Sequence, residues 1–329
     1  MLLLTLSFVP PITGQTLAQS KTLHVSMPTR QGALFAPYNI ALDKGYFKDE
    51  GLDLDIRIAG GGVATPAQIA GDIDINTSGP AAIIPIMRGA RLKLVYTLAT
   101  HSTDQIWSTS HAIKTFQDLQ GKQVGVLSRG DTNEIGVRMA LLKSGLSSDW
   151  VSYTALGELG NVLAVMKTAA LPAVVLGGVS VELAREAGSL EKGNLLYDEA
   201  QELEMPYNSI AVSDRFLGEN RRALEGFLRA TLKAARYMKK YNAPSVAIMR
   251  KYDSASSEKV LKADYDRLYP VLSLDGTVPE DARLTDLKVR ASLIDLPESK
   301  IPALAQVYDY SIVRSVNAQL DASGWTPSP

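Results

Sequence analysis

The sequence contains no cysteine. That excludes disulfides, thiolate metal sites, cysteine nucleophiles and a lipid-modified N-terminal cysteine. Histidine is almost as scarce. His24, His101 and His111 are the whole set, and none has the spacing of a metal-binding helix; each reads as a structural side chain. No Walker phosphate loop and no G-x-S-x-G nucleophile elbow occurs, and Gly60-Gly61-Gly62 does not satisfy G-x-G-x-x-G. Neither charge is in excess: 34 Lys and Arg face 35 Asp and Glu, a formal net charge of −1. Nothing therefore draws the chain electrostatically to nucleic acid or to an anionic membrane. The apolar run Leu2 to Val9 is much too short to span a bilayer. No catalytic residue, metal ligand or cofactor site is nominated.

What is present begins with length. At 329 residues the chain exceeds one ordinary core and fits two lobes. Its first twenty residues carry no charged side chain, and Thr16-Leu17-Ala18 offers the small residues a signal peptidase reads. A basic leading segment is missing. The expectation for residues 1–20 is a truncated secretory signal cleaved near Ala18 to Ser20.

The stretch Ala36 to Gly62 organises the rest. Lys44-Gly45 supplies a cation for a helix C-terminus and then a residue that tolerates a left-handed exit. Gly51 turns the chain into Leu52 to Ile58, whose apolar and polar residues alternate as in a half-buried strand. With a strand at Leu23 to Met27 this makes a βαβ unit, which requires a parallel sheet. The same grammar recurs. A helix capped by Thr65 with Pro66 first, a strand at Ile73 to Asn76, a helix at Ala81 to Arg88 and a strand at Leu92 to Leu98 complete four parallel strands. The polar, aperiodic Thr100 to His111 marks a crossover. Strands at Gln123 to Leu127, Val151 to Thr154 and Ala173 to Leu176 follow with helices between them. Ser209 to Ser213 returns the chain to the first lobe. A long helix over Glu219 to Tyr241 comes next, then helices at Pro244 to Tyr252, Ser257 to Leu268 and Ile301 to Leu320. Pro279 to Asp281 reads as a loop, and the tail after Trp325 as frayed.

These segments carry a resemblance. The order of a strand, a helix ending in DKGYF, EGLDLDI, Ala67 to Val95 and Phe116 to Asn133 resembles a periplasmic solute-binding protein of an ABC importer. The branch it resembles binds sulfonates, taurine, nitrate and thiamine-pyrimidine precursors. The resemblance implies an α/β, two-lobe periplasmic-binding-protein fold of the second type, each lobe a mostly parallel sheet flanked by helices. Lobe I is expected over 21–106 plus 208–329 and lobe II over 107–207. It further implies a monomer in the periplasm that captures a small solute by hinge closure, without catalysis. The closed form would be handed to an ABC permease with its cytoplasmic ATPase. Pyrimidine-precursor synthases share the resemblance, but they use a cysteine-rich iron motif that this chain lacks. A binding protein serving a sensor is the other rival.

Ligands in parallel sheets sit beyond the carboxyl ends of the strands. The polar loops there are Thr29-Arg30-Gln31, Thr77-Ser78, Ser128-Arg129-Gly130-Asp131-Thr132, Gly177-Gly178 and Tyr207-Asn208. The first four precede helix N-termini, where free N–H groups and the dipole favour anions; plain capping explains any single one equally. Arg30 and Arg129 follow the first strand of each lobe and offer planar forks for a carboxylate or sulfonate. Each is equally open to a structural role, Arg129 through an ion pair with Asp131 or Glu134.

Overall fold

Helix Ala36–Asp43 is closed by Lys44, and Gly45 leaves it in the left-handed conformation at φ +74°. Tyr46 and Phe47 then turn inward. Phe47 lies 5.0 Å from the ring of Phe227 on the long helix Arg221–Lys240. Tyr46 meets Trp325 edge-on at 5.8 Å. An aromatic pair set by a helix exit thereby fastens the start of the chain to its end. The computed structural model describes residues 20–329, so the expected leader lies outside the described residues except for Ser20.

Among the described residues, ten strands form two sheets. They are β1 (Lys21–Met27), β2 (Leu52–Ile58), β3 (Ile75–Asn76), β4 (Leu92–His101), β5 (Gln105–Ser108), β6 (Gln123–Val126), β7 (Ser152–Ala155), β8 (Ala173–Leu176), β9 (Leu195–Asp198) and β10 (Glu204–Ser213). The first sheet has the order β2-β1-β3-β10-β4 and the second β7-β6-β8-β5-β9. β1 pairs in parallel with β2, with His24 opposite Asp55, and in parallel with β3. β10 is antiparallel to both β3 and β4. The second sheet repeats this plan, with β5 antiparallel between β8 and β9. The chain leaves the first sheet between β4 and β5 and re-enters it between β9 and β10.

Each sheet therefore holds one reversed strand that the sequence reading did not place among its parallel neighbours. The crossover expected to lack structure contains β5. Its Gln105 and Ser108 are buried with Ile106, so burial follows hydrogen bonding and leaves no apolar alternation to read. β9 was also missed. The helix expected to start at Pro66 begins at Gly61 and takes Pro66 into its interior. Gly61 permits this because a side chain there would strike Ala81. The expected loop at Pro279 to Asp281 opens the helix Glu280–Ser292 instead, with Pro279 at the N-cap position and Glu280 and Asp281 on the positive end of the dipole. Val289 of that helix is buried in the core of the second sheet.

The helix expected over Ile301 to Leu320 is broken. Tyr308 to Tyr310 runs beside β4, and Asp309 N–H donates to Leu94 O at 2.8 Å before the helix Ser311–Ala322 begins. The tail is tied rather than frayed, since the Tyr241 hydroxyl donates to Pro327 O at 3.0 Å.

Candidate functional site at the junction of the two sheets

The loop after β1 is a tight turn. Thr29 Oγ1 accepts from Gln31 N–H at 3.0 Å, and Gly32 follows at φ +79°. Arg30 Nε donates to Asn39 Oδ1 at 3.1 Å, and its guanidinium lies 4.2 Å over the Tyr252 ring. Its two terminal nitrogens have no protein acceptor among the described residues. After β3, Thr77 is fully buried and donates to Ser26 O at 3.0 Å, while Ser78 N–H donates to Asn76 Oδ1 at 2.9 Å. Gly79 then packs directly on the backbone of Ser209.

After β6, Asp131 caps the helix Thr132–Lys143, accepting from Ser128 N–H at 2.9 Å and Glu134 N–H at 3.1 Å. Burial, reinforced by Asp104 and Glu134, outweighs those bonds and pushes its pKa up to about 6. Ser128 is exposed and Thr132 is the first helical residue. Arg129 is committed. It grips Glu134 through two nitrogens at 2.7 and 3.2 Å and lies 5.5 Å over the Tyr153 ring. Gly130 N–H joins in at 2.8 Å. Burial opposes ionisation of Glu134, yet these donors and Arg138 hold its pKa below the ordinary value.

The remaining loops converge on residues that the sequence reading passed over. Asp104, wholly buried between β4 and β5, accepts from the Tyr207 hydroxyl at 3.0 Å and from the Asn133 amide. Gly177 lies so close that a side chain there would collide with this carboxylate. One carboxylate thus joins the helix after β6 and the loop after β8 to β10. Burial raises its pKa, against the pull of Asn133, Tyr207 and Arg267. Glu199 N–H donates to Asp104 O at 3.1 Å. The Glu199 carboxylate is fully enclosed against Gly136, and neither oxygen has a hydrogen-bond partner among the described residues. Burial and then the charge of Asp104 push its pKa well up, and the nearby Ser102 hydroxyl offsets this only in part. Arg267 does not neutralise these acids directly. It forks onto Asp198, at 2.5 and 3.1 Å, and onto the carbonyls of Thr103 and Asp104.

Asp264 stands on the other side of the same junction. It rises from the helix Glu258–Leu268 and accepts from Ala33 N–H at 2.6 Å. Its oxygens lie 3.1 Å and 3.6 Å from where β-carbons of Gly32 and Gly178 would sit; both glycines have positive φ, and they come from opposite sheets. Burial pushes its pKa up to about 6 despite that hydrogen bond. Asn208 takes φ +50° on β10, and its buried amide nitrogen has no acceptor among the described residues.

Of the nominated residues, Gly177 and Tyr207 therefore meet at Asp104. Gly178 and the turn after Gln31 meet at Asp264. The Thr77-Ser78 loop abuts β10 beside Asn208. Arg129 is turned away onto Glu134. A signal for Asp264 did exist, since Val260, Leu261, Asp264, Tyr265 and Leu268 share one buried stripe and a carboxylate in such a stripe is out of place. For Asp104 and Glu199 the only signal was a charge within a polar segment.

A family model described as NMT1/THI5 like matches residues 33–244. The chain belongs to the NMT1/THI5-like family. A curated relative is the riboflavin-binding protein RibY of Chloroflexus aurantiacus, 27% identical over 230 residues. That match covers 68% of this chain and 64% of RibY, just under two thirds of the relative's length. Among solved structures, the periplasmic aliphatic sulphonate binding protein SsuA from Escherichia coli superposes with a TM-score of 0.68 at 17% identity. It covers 87% of this chain and 91% of SsuA. The periplasmic nitrate-binding protein NrtA from Synechocystis PCC 6803 gives 0.71 at 14% identity, over 94% of this chain and 92% of NrtA. At these identities the likeness concerns the fold, which is the two-sheet periplasmic-binding-protein fold that the resemblance implied. RibY and these two structural neighbours are named for riboflavin, sulphonate and nitrate, three solutes of different chemistry.

Proposed function

We propose that this chain is the extracytoplasmic solute-binding component of an ABC import system. The observation that carries the reading is the meeting of loops from both sheets around Asp104, Tyr207 and Asp264. Family membership and the fold support it. In this reading 21–106 with 208–329 form one lobe and 107–207 the other, joined at the two crossovers. A small organic solute enters between them. Thr29, Gln31, Thr77, Ser78, Ser128, Gly130, Thr132, Gly178 and Asn208 line its path, and contacts to both lobes favour the closed form. Differential affinity for that form is the energetic requirement. The closed monomer is presented to a membrane permease with its cytoplasmic ATPase. Residues 1–20 are then what remains of a truncated leader directing it to the periplasm.

For the anionic carboxylate or sulfonate expected of the solute, Arg30 is the better-disposed arginine, because its terminal nitrogens remain uncommitted. Arg129 would first have to give up Glu134. The test is native purification, then mass spectrometry of what denaturation releases, with small-angle scattering before and after the solute is stripped. A released solute and expansion on stripping are expected. A chain that retains nothing and keeps one radius with every candidate solute is no binding protein of this kind.

A further inference from the structure

We infer that the junction between the two sheets is gated by a proton: the two crossovers pack only while the Glu199 carboxyl is uncharged, and its ionisation loosens them. This rests on the solute-binding reading in one respect, that the junction is a hinge. Glu199 opens the short helix Glu199–Glu202 on the returning crossover, and Asp104 lies on the outgoing one. Their backbones meet, Glu199 N–H donating to Asp104 O at 3.1 Å. Both side chains are fully buried. Asp104 has donors in Asn133 and Tyr207. Glu199 has none among the described residues, and its oxygens fill the place a side chain at Gly136 would take.

The surrounding groups supply no counter-charge. Asp104 and Ser102 face Glu199 from the outgoing crossover and Asp198 faces it from β9, while Asp131 stands behind Asp104. Arg267 is within electrostatic reach, but its nitrogens are spent on Asp198 and on the carbonyls of Thr103 and Asp104. Lys143 and the Tyr197 hydroxyl donate to Glu202 O, and His101 at the end of β4 bonds to Thr100. A buried carboxylate with no cation in contact and no donor is strongly disfavoured against its protonated form. Losing the proton therefore favours any arrangement that admits water to Glu199. Because Glu199 and Asp104 sit where the chain passes between the sheets, that arrangement is an opened junction.

The test follows amide hydrogen exchange of the crossovers, 102–104 and 199–203, in the full chain without solute from pH 5 to 8, corrected for the intrinsic pH dependence of exchange. One proton released on opening raises the opening constant by about tenfold per pH unit until Glu199 ionises in the packed form. Glu199→Gln keeps the shape and cannot ionise. It should lose about that tenfold per unit, whatever the other acids contribute to both curves. Strands β1 and β6 report global unfolding in the same experiment, and the crossovers should open ahead of them. Infrared spectra of wild type carrying isotope-labelled glutamate should show a protonated carboxyl at pH 6 that Glu199→Gln lacks. Parallel exchange curves, crossovers that open only together with β1 and β6, or a missing carboxyl band each overturn the inference. If Glu199→Gln does not fold, the wild-type slope and band decide, and a flat slope or no band overturns it. Solute capture is scored separately, by what native purification retains, so either reading can fail without the other.

Discussion

The hydroxyl of Tyr207, on the strand that re-enters the first sheet, donates at 3.0 Å to Asp104, on the segment that leaves it. The two crossovers are thereby tied by one buried hydrogen bond. Asp104 is fully buried and Tyr207 is 7% exposed, so water cannot replace either partner. Tyr207→Phe should lower stability by about 1–3 kcal/mol, the cost of stranding a buried acceptor. Urea unfolding followed by circular dichroism measures it. An unchanged midpoint would mean that the bond contributes nothing at the junction.

Stability should rise as pH is lowered from 7 towards 5. Asp131 and Asp264 have folded pKa values of about 6, raised by burial, and burial also raises Asp104 and Glu199. Between the ordinary carboxylate pKa and these raised values the folded chain holds more protons than the unfolded chain. The slope of stability with pH is then negative, and the loss is complete above the folded pKa. For Asp131 and Asp264 it amounts to roughly 2–3 kcal/mol each by pH 7. His101, whose pKa burial lowers, opposes the trend as a single group. Denaturant midpoints at pH 5, 6 and 7 test this; a midpoint that climbs with pH contradicts it.

Gly79→Ala should destabilise the chain by about 1–3 kcal/mol. Its φ is ordinary, so the cost is steric: a β-carbon would collide with the backbone of Ser209 and Ala211, which cannot rotate aside as a side chain can. The approach of the Ser78 loop to β10 would open. Unfolding midpoints of the two proteins compare directly, and parity between them would show that the strand yields.

The two nominated arginines should separate in binding. Arg30→Ala should weaken capture of an anion-bearing solute by about ten- to a hundredfold. Arg129→Ala should change it by no more than about fivefold, since a half-exposed guanidinium already paired with Glu134 has little left to give. Calorimetric titration with the retained solute distinguishes them. The reverse order would place Arg129, released from Glu134, in the bound state.

The sequence by itself determined the elements whose signals are local. The exit at Lys44-Gly45, the alternation of Leu52 to Ile58, the Ser257 cap and the amphipathic stripe of Arg221–Lys240 each lie within one turn or one strand of their cause. The polar loops at the strand ends were legible for the same reason. Tertiary structure alone decided the insertion of β5 and β10 as reversed strands, because strand direction is fixed by partners distant in the chain. It also decided which charges matter. Arg129 had a carboxylate five residues away and folded onto it, while Arg30 did not. Asp104 is joined to Tyr207 across 103 positions, and Asp264 to Ala33 across 231. A buried carboxylate is defined by what surrounds it, and its surroundings come from four or five separate segments that only folding brings together.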